Sequence, residues 1–290
     1  MILKQVILKV IILINCQDKT GIISSVTQFI HSHFGNVIYL DQHVDKSSNV
    51  FFMRLEIEFA PEQVNINNFK DAFKETIALP YDMHWSLYLD SVRPKMALFV
   101  SKYNHCLYDL LGRHNSGELP VDIPFILSNH PDLKFIADQF NIPFHHIPFS
   151  KSNRQEAEEK QLALLKEHQV DFVVLARYMQ IVSNRLIEVF PNRIINIHHS
   201  FLPAFAGAKP YHAAFKRGVK IIGATSHYVT AELDAGPILE QDVTPVSHSH
   251  TIVDFISKGR DLEKIVLSRA IKLHVLRKTM VYDNKTVIFS

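Results

Sequence analysis

The sequence predicts an α/β protein with two domains, each built around its own β-sheet. Its 290 residues suit two hydrophobic cores better than one. Residues 1–90 follow the order βαββαβ, whereas short apolar runs alternate with helical stretches from Met96 onward. A proline-containing joint, DSVRPKM, separates the two patterns. We therefore expect one domain over 1–90 and a second over 91–290.

The first domain begins with an apolar run over 6–15 that predicts a strand. The next segment predicts a helix, because apolar residues recur at helical spacing at Ile22, Ile23, Val26, Phe29 and Ile30. Two strands joined by KSSN, an amphipathic helix in INNFKDAFKETIA and a strand in DMHWSLYL complete the domain. This order is that of the ferredoxin-like fold.

The second domain is predicted to hold a mostly parallel sheet with helices on both faces. Its predicted strands span 97–101, 123–128, 172–175, 193–197, 219–228 and 237–246. Its predicted helices lie near 103–114, 131–140, 151–168 and 183–190, with a closing helix over 251–277. Residues 194–218 begin as a buried strand and end as a helix. Alternating strands and helices of this kind are typical of Rossmann-like folds.

The composition excludes several classes of protein. The formal net charge is +2 with both signs interspersed, so no basic surface for nucleic acid is indicated. The two cysteines, Cys16 and Cys106, are far apart, which argues against a disulfide framework and fits a cytoplasmic protein. No apolar run reaches the roughly 20 residues of a membrane span. The N-terminal apolar run is too short for a signal peptide.

Polar side chains cluster at the end of a predicted buried strand. Asn196 and His198 are two positions apart, so strand alternation turns both to one face while Ile197 points away. In open α/β sheets, ligands bind beyond the carboxyl ends of the strands. An amide that stabilises an oxyanion, beside an imidazole that moves a proton, suits carbonyl chemistry. The alternative is that Asn196 caps a turn and His198 is packed in the core.

A second candidate lies in SHYVTAELDAGPI, residues 226–238. Asp234 falls in a loop between two predicted strands and is followed by Ala-Gly-Pro. Its carboxylate could orient a catalytic water or the His198 ring, or it could stabilise a turn. The local sequence leaves these alternatives open.

These segments together resemble the folate-dependent formyltransferases. Two segments carry the resemblance, NIHHSFLPAF with its Asn-x-His and GATSHYVTAELDAGPILEQ with its L-D-x-G-P. Further segments, among them NHPDLK, VLARYMQI and NKTVIF, resemble the formyltetrahydrofolate deformylases within that group. DKTGIISSVTQFI and DQHVDKSSNVFFMR are similar to the ACT domain that precedes the deformylase domain.

The resemblance implies an ACT domain followed by a formyltransferase-type domain that hydrolyses 10-formyltetrahydrofolate to tetrahydrofolate and formate. It maps the catalytic groups onto Asn196, His198 and Asp234, with direct attack of water. Folate is then the substrate, formate is supplied for purine biosynthesis, and neither a cofactor nor a metal is expected. The substrate-binding positions that it implies are Arg177, Tyr178, Met179, Gln180, Ile181, His199, Gly207, Lys209, Tyr228 and Val229.

Water and an amine are alternative acceptors of the formyl group. A nucleotide acceptor needs a phosphate site, for which glycine-rich loops supply backbone N–H groups. The stretch after the first strand of the second domain has no glycine between Val100 and Leu111. Transferases also tend to have proline where this chain has His199, which strand alternation would turn away from His198. Hydrolysis is favoured, and transfer to an amine acceptor is the alternative.

A metallohydrolase and a binding protein without catalysis are two further alternatives. The histidines that could supply metal ligands are His198, His199, His212, His227, His248 and His250. No H-x-x-x-H helix pair or cysteine partner accompanies them. The intact Asn196, His198 and Asp234 argue against an inactive binding protein.

The resemblance assigns regulation or oligomerisation to the first domain. Asp18 and the backbone near Gly21 lie at the first strand–helix junction, where an amino group and a carboxylate could bind. Glycine and methionine are the candidate effectors, and a purely oligomer-building role is the alternative. The resemblance also suggests a homo-oligomer, a tetramer or a hexamer, without a nucleic-acid or membrane partner.

Overall fold

The protein is described by a computed structural model over residues 7–150, 152–204 and 210–290. Contacts within the chain divide it into two units. The first unit extends to Arg93 and includes Val287–Ser290, and the second is Pro94–Thr286. The division predicted from the sequence puts these last four residues in the second domain instead.

The first unit is a four-stranded antiparallel sheet with the order β2-β3-β1-β4. Its elements are β1 Leu8–Gln17, α1 Ile22–Ser32, β2 Asn36–Asp45, β3 Val50–Phe59, α2 Ile66–Phe73 with the π-helix Lys74–Ala78, and β4 His84–Leu89. Alternate apolar residues of the central strands β1 and β3 pack with the apolar faces of the helices in one core. This is the predicted βαββαβ arrangement.

Local signals fix where the two helices of this unit begin. Gly21 precedes α1 with a φ of +90°, a left-handed conformation that glycine adopts without steric cost. Asn65 caps α2, since its side chain accepts hydrogen bonds from the backbone N–H groups of Asn67 and Asn68.

The second unit contains a seven-stranded sheet with the order β11-β10-β9-β8-β5-β6-β7. Its strands are β5 Met96–Val100, β6 Ile126–Ser128, β7 Phe144–His146, β8 Phe172–Leu175, β9 Ile194–His198, β10 Ile221–Tyr228 and β11 Ile238–Pro245. Its helices are α3 His105–Asn115, α4 Lys134–Gln139, α5 Arg154–Glu167, α6 Asn184–Val189, α7 Pro210–Arg217 and α8 Ile252–Val275. The strands β5 to β9 pair in parallel, and β10 and β11 are antiparallel, so the predicted mostly parallel sheet is confirmed.

The strand order locates a binding crevice. From β5 the chain adds β6 and β7 on one side, and it then adds β8 and β9 on the other. Ligands of open α/β sheets bind where the order reverses, which here is between the carboxyl ends of β5 and β8. Tyr103 follows β5, and the segment 177–181 follows β8.

The helix α8 closes the second unit. It begins with a capping box, in which Thr251 and Asp254 exchange side-chain to backbone hydrogen bonds. Near its other end, His274 is buried and shares a 2.7 Å hydrogen bond with the hydroxyl of Tyr228 at the end of β10. A two-stranded sheet of β12 Thr279–Tyr282 and β13 Lys285–Ile288 follows. Across the described residues, no helix combines the length and apolarity required to cross a membrane.

Candidate active site

The end of β9 carries the two central polar side chains of the site. Asn196 and His198 both line one cavity, as strand alternation predicts. The antiparallel neighbour β10 pairs Thr225 with His198 and His227 with Asn196. Pairing across β9 and β10 therefore adds a second imidazole beside the Asn196 amide.

Asp234 is positioned by an unusual backbone. It has a φ of +56°, a left-handed conformation that Asp tolerates better than most residues. Gly236 permits this turn to lie against β10, because a Cβ at that position would be only 1.8 Å from the carbonyl oxygen of Tyr228. The side chain of Asn284 donates a 2.9 Å hydrogen bond to the carbonyl of Ala235. The loop that holds Asp234 is therefore fixed at several points.

The Asp234 carboxylate contacts two imidazoles. Its Oδ2 is 3.2 Å from Nδ1 of His198, and its Oδ1 is 3.6 Å from Nε2 of His227. Burial favours the neutral acid, but the hydrogen bond from Nδ1 of His198 and then the nearby His227 ring outweigh it and hold the pKa of Asp234 well below its usual range. Asp234 is therefore ionised at neutral pH.

The contact with Asp234 fixes the tautomer of His198. A carboxylate accepts hydrogen bonds, so Nδ1 of His198 carries a proton and Nε2 of the neutral ring has a free lone pair. This Nε2 atom is buried and has no hydrogen-bond partner among the described residues. His198 is thus arranged to accept a proton from a group in the cavity.

His227 is a site residue that the sequence indicated only as a possible metal ligand. Its Nδ1 is 2.9 Å from the carbonyl oxygen of Tyr228, which fixes a proton on Nδ1. Its Nε2 therefore accepts a hydrogen bond at 3.2 Å from the amide nitrogen of Asn196. This contact orients the Asn196 amide with its nitrogen toward His227. The paired register of β9 and β10 is the signal that reveals it.

The cavity around these residues has a volume of about 590 Å³. It is lined by most of the predicted binding positions, namely Arg177, Tyr178, Met179, Gln180, Ile181, His199 and Val229, together with Asn196, His198 and Asp234. Tyr228 differs, because it lies in the hydrophobic core, where its hydroxyl bonds His274 and Thr279. Gly207 and Lys209 lie outside the described residues. Asp18 and Gly21 belong to the first unit.

His199 lies closer to His198 than strand alternation predicts. The strand ends at His198, so alternation does not govern the next residue, and the two ring centroids are 5.3 Å apart. Burial and the nearby Arg177 guanidinium lower the pKa of His199 to about 4. His199 is therefore an uncharged ring at neutral pH.

A cluster of polar residues beside the cavity was not predicted. Glu263 of α8 is almost fully buried, yet its pKa is lowered, since hydrogen bonding by His105 and the charge of Arg177 outweigh its desolvation. His105 and Tyr211 each lie 2.8 Å from one of its oxygens, and Nε of Arg177 lies at 3.4 Å. Gly259 makes room for the Tyr211 ring, which a Cβ would approach to 2.1 Å.

The described residues contain one group whose donor atoms are near enough for a metal ion. His105, Cys106 and Glu263 place these atoms within 4.8 Å of one another. Burial raises the pKa of the Cys106 thiol well above its usual range, and a protonated thiol is a poor metal ligand. Both Glu263 oxygens also accept hydrogen bonds. This geometry favours a hydrogen-bonded cluster over a metal site. The group of His105, Cys106 and Glu263 includes none of the six histidines that the sequence offered as possible metal ligands.

Comparison with known proteins places the chain in a family. The model of the formyl transferase family matches residues 94–271. A formyltetrahydrofolate deformylase from Synechocystis is 51% identical over 96% of this chain and 98% of its own length, and one from Bacillus subtilis is 44% identical over 96% and 93%. This chain belongs to the formyltetrahydrofolate deformylase family. The predicted resemblance is thereby confirmed.

A solved structure extends the family likeness to the three-dimensional fold. The crystal structure of a formyltetrahydrofolate deformylase from Pseudomonas syringae has a TM-score of 0.95 and 43% sequence identity. The match covers 99% of this chain and 96% of that one. The deformylase family therefore accounts for both units, whereas the formyl transferase model accounts for the second unit alone.

The contact between His227 and Asn196 generates a testable prediction. The His227→Leu variant should lose about 10- to 100-fold in turnover, because the amide is no longer held in one orientation. The Michaelis constant should change little. Steady-state kinetics of formate release measures both quantities.

Ser226→Ala is the matched control for His227→Leu. Ser226 is also buried in β10, but its hydroxyl bonds the backbone carbonyl of Asn196 at 2.9 Å and leaves the amide untouched. We expect its turnover to stay within a few-fold of the wild type. Equal losses in both variants would mean that His227 acts only through packing.

Proposed function

We propose that this chain hydrolyses 10-formyltetrahydrofolate to tetrahydrofolate and formate, supplying formate for purine biosynthesis. The observation that carries the proposal is that His198, with an unpartnered Nε2 and with Asp234 against its Nδ1, lines one cavity together with Asn196. This arrangement provides a proton acceptor and an oxyanion donor together. The deformylase family of the chain supports the same reaction.

The reaction begins with the attack of water on the formyl carbon. His198 accepts a proton from the water through Nε2, and Asp234 stabilises the imidazolium that forms. Asn196 donates to the carbonyl oxygen as it becomes an oxyanion. Cleavage of the carbon–nitrogen bond follows, and His198 returns the proton to N10 of the folate. No covalent intermediate is required.

The pterin ring is proposed to bind against the segment after β8. Met179 and Ile181 are half-exposed apolar side chains on the cavity wall, and they suit the flat face of a ring. The backbone N–H of Met179 already donates to Ser101 at 2.9 Å, so Met179 contributes its side chain rather than its backbone. The backbone groups of Arg177, Tyr178, Gln180 and Ile181 are assigned to the ring edge.

Transfer of the formyl group to an amine is the alternative reaction. It would use the same three catalytic groups, and it requires an acceptor site beside them. Against it stands the glycine-free stretch after β5, which lacks a phosphate-binding loop of the usual kind. We propose no cofactor and no metal for the hydrolysis. Two free, buried cysteines support a cytoplasmic location.

The first prediction from this mechanism is hydrolysis without an acceptor. Purified protein incubated with 10-formyltetrahydrofolate alone should release equal amounts of formate and tetrahydrofolate, because water is the nucleophile. The rate should be unchanged by EDTA. Formate dehydrogenase coupling and folate absorbance measure the two products. Turnover that appears only with an amine such as glycinamide ribonucleotide would identify a transferase instead.

A second prediction concerns the catalytic groups. Asn196→Ala should lose on the order of 10²–10³ in turnover, since an oxyanion donor is removed. His198→Ala and Asp234→Asn should lose at least as much, while calorimetry should still detect folate binding. The exposed ion pair of Asp242 with Arg269 offers the control Asp242→Asn, which should be silent. Wild-type turnover in Asp234→Asn would remove Asp234 from the mechanism.

We further propose that the first unit regulates the enzyme as an ACT-type domain in a homo-oligomer, a tetramer or hexamer. The site is the turn into α1, with Asp18 before it and the left-handed Gly21 at its start. Glycine or methionine should bind there with a change in deformylase rate. Calorimetric titration of wild type and Gly21→Leu, with rate assays, tests this. Binding by neither amino acid, with an unchanged rate, would leave only an oligomer-building role.

A further inference from the structure

Arg177 has a conformation and a burial that binding through its backbone does not explain. Its φ is +65°, in the left-handed region that residues with a Cβ rarely adopt. Its side chain is only 9% exposed, and its charge is paired inside the protein with the buried Glu263. A strained and buried arginine that lines the cavity is evidence for a role of its guanidinium.

The guanidinium is held in place by two neighbours. It stacks on the ring of Tyr103, with 4.9 Å between the guanidinium carbon and the ring centroid. Its Nε lies 3.4 Å from Glu263, too poorly aligned for a hydrogen bond, and both Glu263 oxygens are engaged by His105 and Tyr211. Among the described residues, no hydrogen bond is made by the terminal nitrogens of Arg177. Its donor fork is therefore available to a ligand.

The charges around the cavity define what such a ligand would be. Apart from histidines, the cationic residues among its described lining are Arg177 and Arg260, of which Arg260 is exposed to solvent. The charge of Arg177 acts on His199, whose ring centroid is 5.3 Å from that of His198, and His199 is uncharged at neutral pH. A planar guanidinium matches a carboxylate with two parallel hydrogen bonds. The buried arginine thus offers a carboxylate site in the cavity that His198 also lines.

We propose that the Arg177 guanidinium, stacked on Tyr103 and steadied by Glu263, binds the formate that leaves the reacting carbon. This inference rests on the proposed hydrolysis. Water adds its oxygen to the formyl carbon, the carbon–nitrogen bond breaks, and N10 takes one proton. The second proton passes through His198 to solvent, so the product is an anion formed beside the ionised Asp234. A cation at Arg177 draws this anion away from the Asp234 carboxylate.

The substrate itself also carries carboxylates, the two of its glutamate tail. Formate and the glutamate tail share the chemistry that an arginine recognises, so the experiment must separate them. 10-Formyltetrahydropteroate lacks the glutamate and therefore reports on the tail. If Arg177 binds formate, replacing it changes the Michaelis constants of both substrates equally.

The test measures formate binding directly and through product inhibition. Carbon-13 NMR of labelled formate, at constant ionic strength, is titrated with the full chain without folate. Arg177→Gln should weaken formate binding and raise the formate inhibition constant by about tenfold or more. Arg177→Lys, which keeps the charge beside Glu263 but loses the fork, should show a smaller loss. Arg260→Gln removes an equal charge from the same cavity and should change either constant by less than about twofold.

Several results would overturn the proposal. One is the absence of formate binding to the wild type, and another is equal formate binding by the wild type and both Arg177 variants. A third is a loss of formate binding in Arg260→Gln as large as that in Arg177→Gln. A rise in the Michaelis constant for 10-formyltetrahydrofolate alone would assign Arg177 to the glutamate tail. The NMR titration needs no turnover, so it reads the formate site even if the enzyme proves to be a transferase. Circular dichroism shows whether Arg177→Gln is misfolded. If it is, formate binding by Arg177→Lys decides the outcome.

Discussion

The contact between the Asp234 carboxylate and Nδ1 of His198 is the interaction on which the arrangement of the site depends. It fixes the imidazole in the tautomer that has a free Nε2, and it requires that an ionised carboxylate be held in a partly buried place. Holding it there demands a left-handed residue and a glycine two positions later, both packed against the end of β10. The contact with Nδ1 of His198 thus requires a specific backbone conformation in the loop that carries Asp234 and Gly236.

The sheet explains why the rest of the site lies where it does. The reversal of strand order between β5 and β8 opens a crevice, and the segments after these strands supply its walls. The reversal of chain direction at β10 then brings His227 opposite Asn196. The helix α8 adds Glu263 from a distant part of the sequence. Several separate elements therefore build one cavity, and none of them contains the site alone.

Much of this could be predicted, because periodicity and motifs are local properties. The βαββαβ order, the mostly parallel sheet and the grouping of Asn196, His198 and Asp234 around one cavity were all predicted from the sequence. The strands β7, β12 and β13 were missed, since they span three or four residues and are largely polar or half-buried. The contact of His227 with Asn196 depends on strand register, which one sequence does not specify. Glu263 could have been noticed in the sequence, because it is a charged residue at a position on the apolar, buried face of α8.

The bond between Tyr228 and His274 ties the folding of the second unit to proton uptake. Burial, and then the charges of Arg277 and Arg193, lower the pKa of His274 from 6.5 to about 3. Between these two values the unfolded chain binds a proton that the folded chain excludes. The stability that the neutral ring provides is complete above about pH 6.5 and declines as the pH falls toward 3. Because Tyr228 ends the strand that leads into the Asp234 loop, mild acid weakens the scaffold of the site before it protonates Asp234.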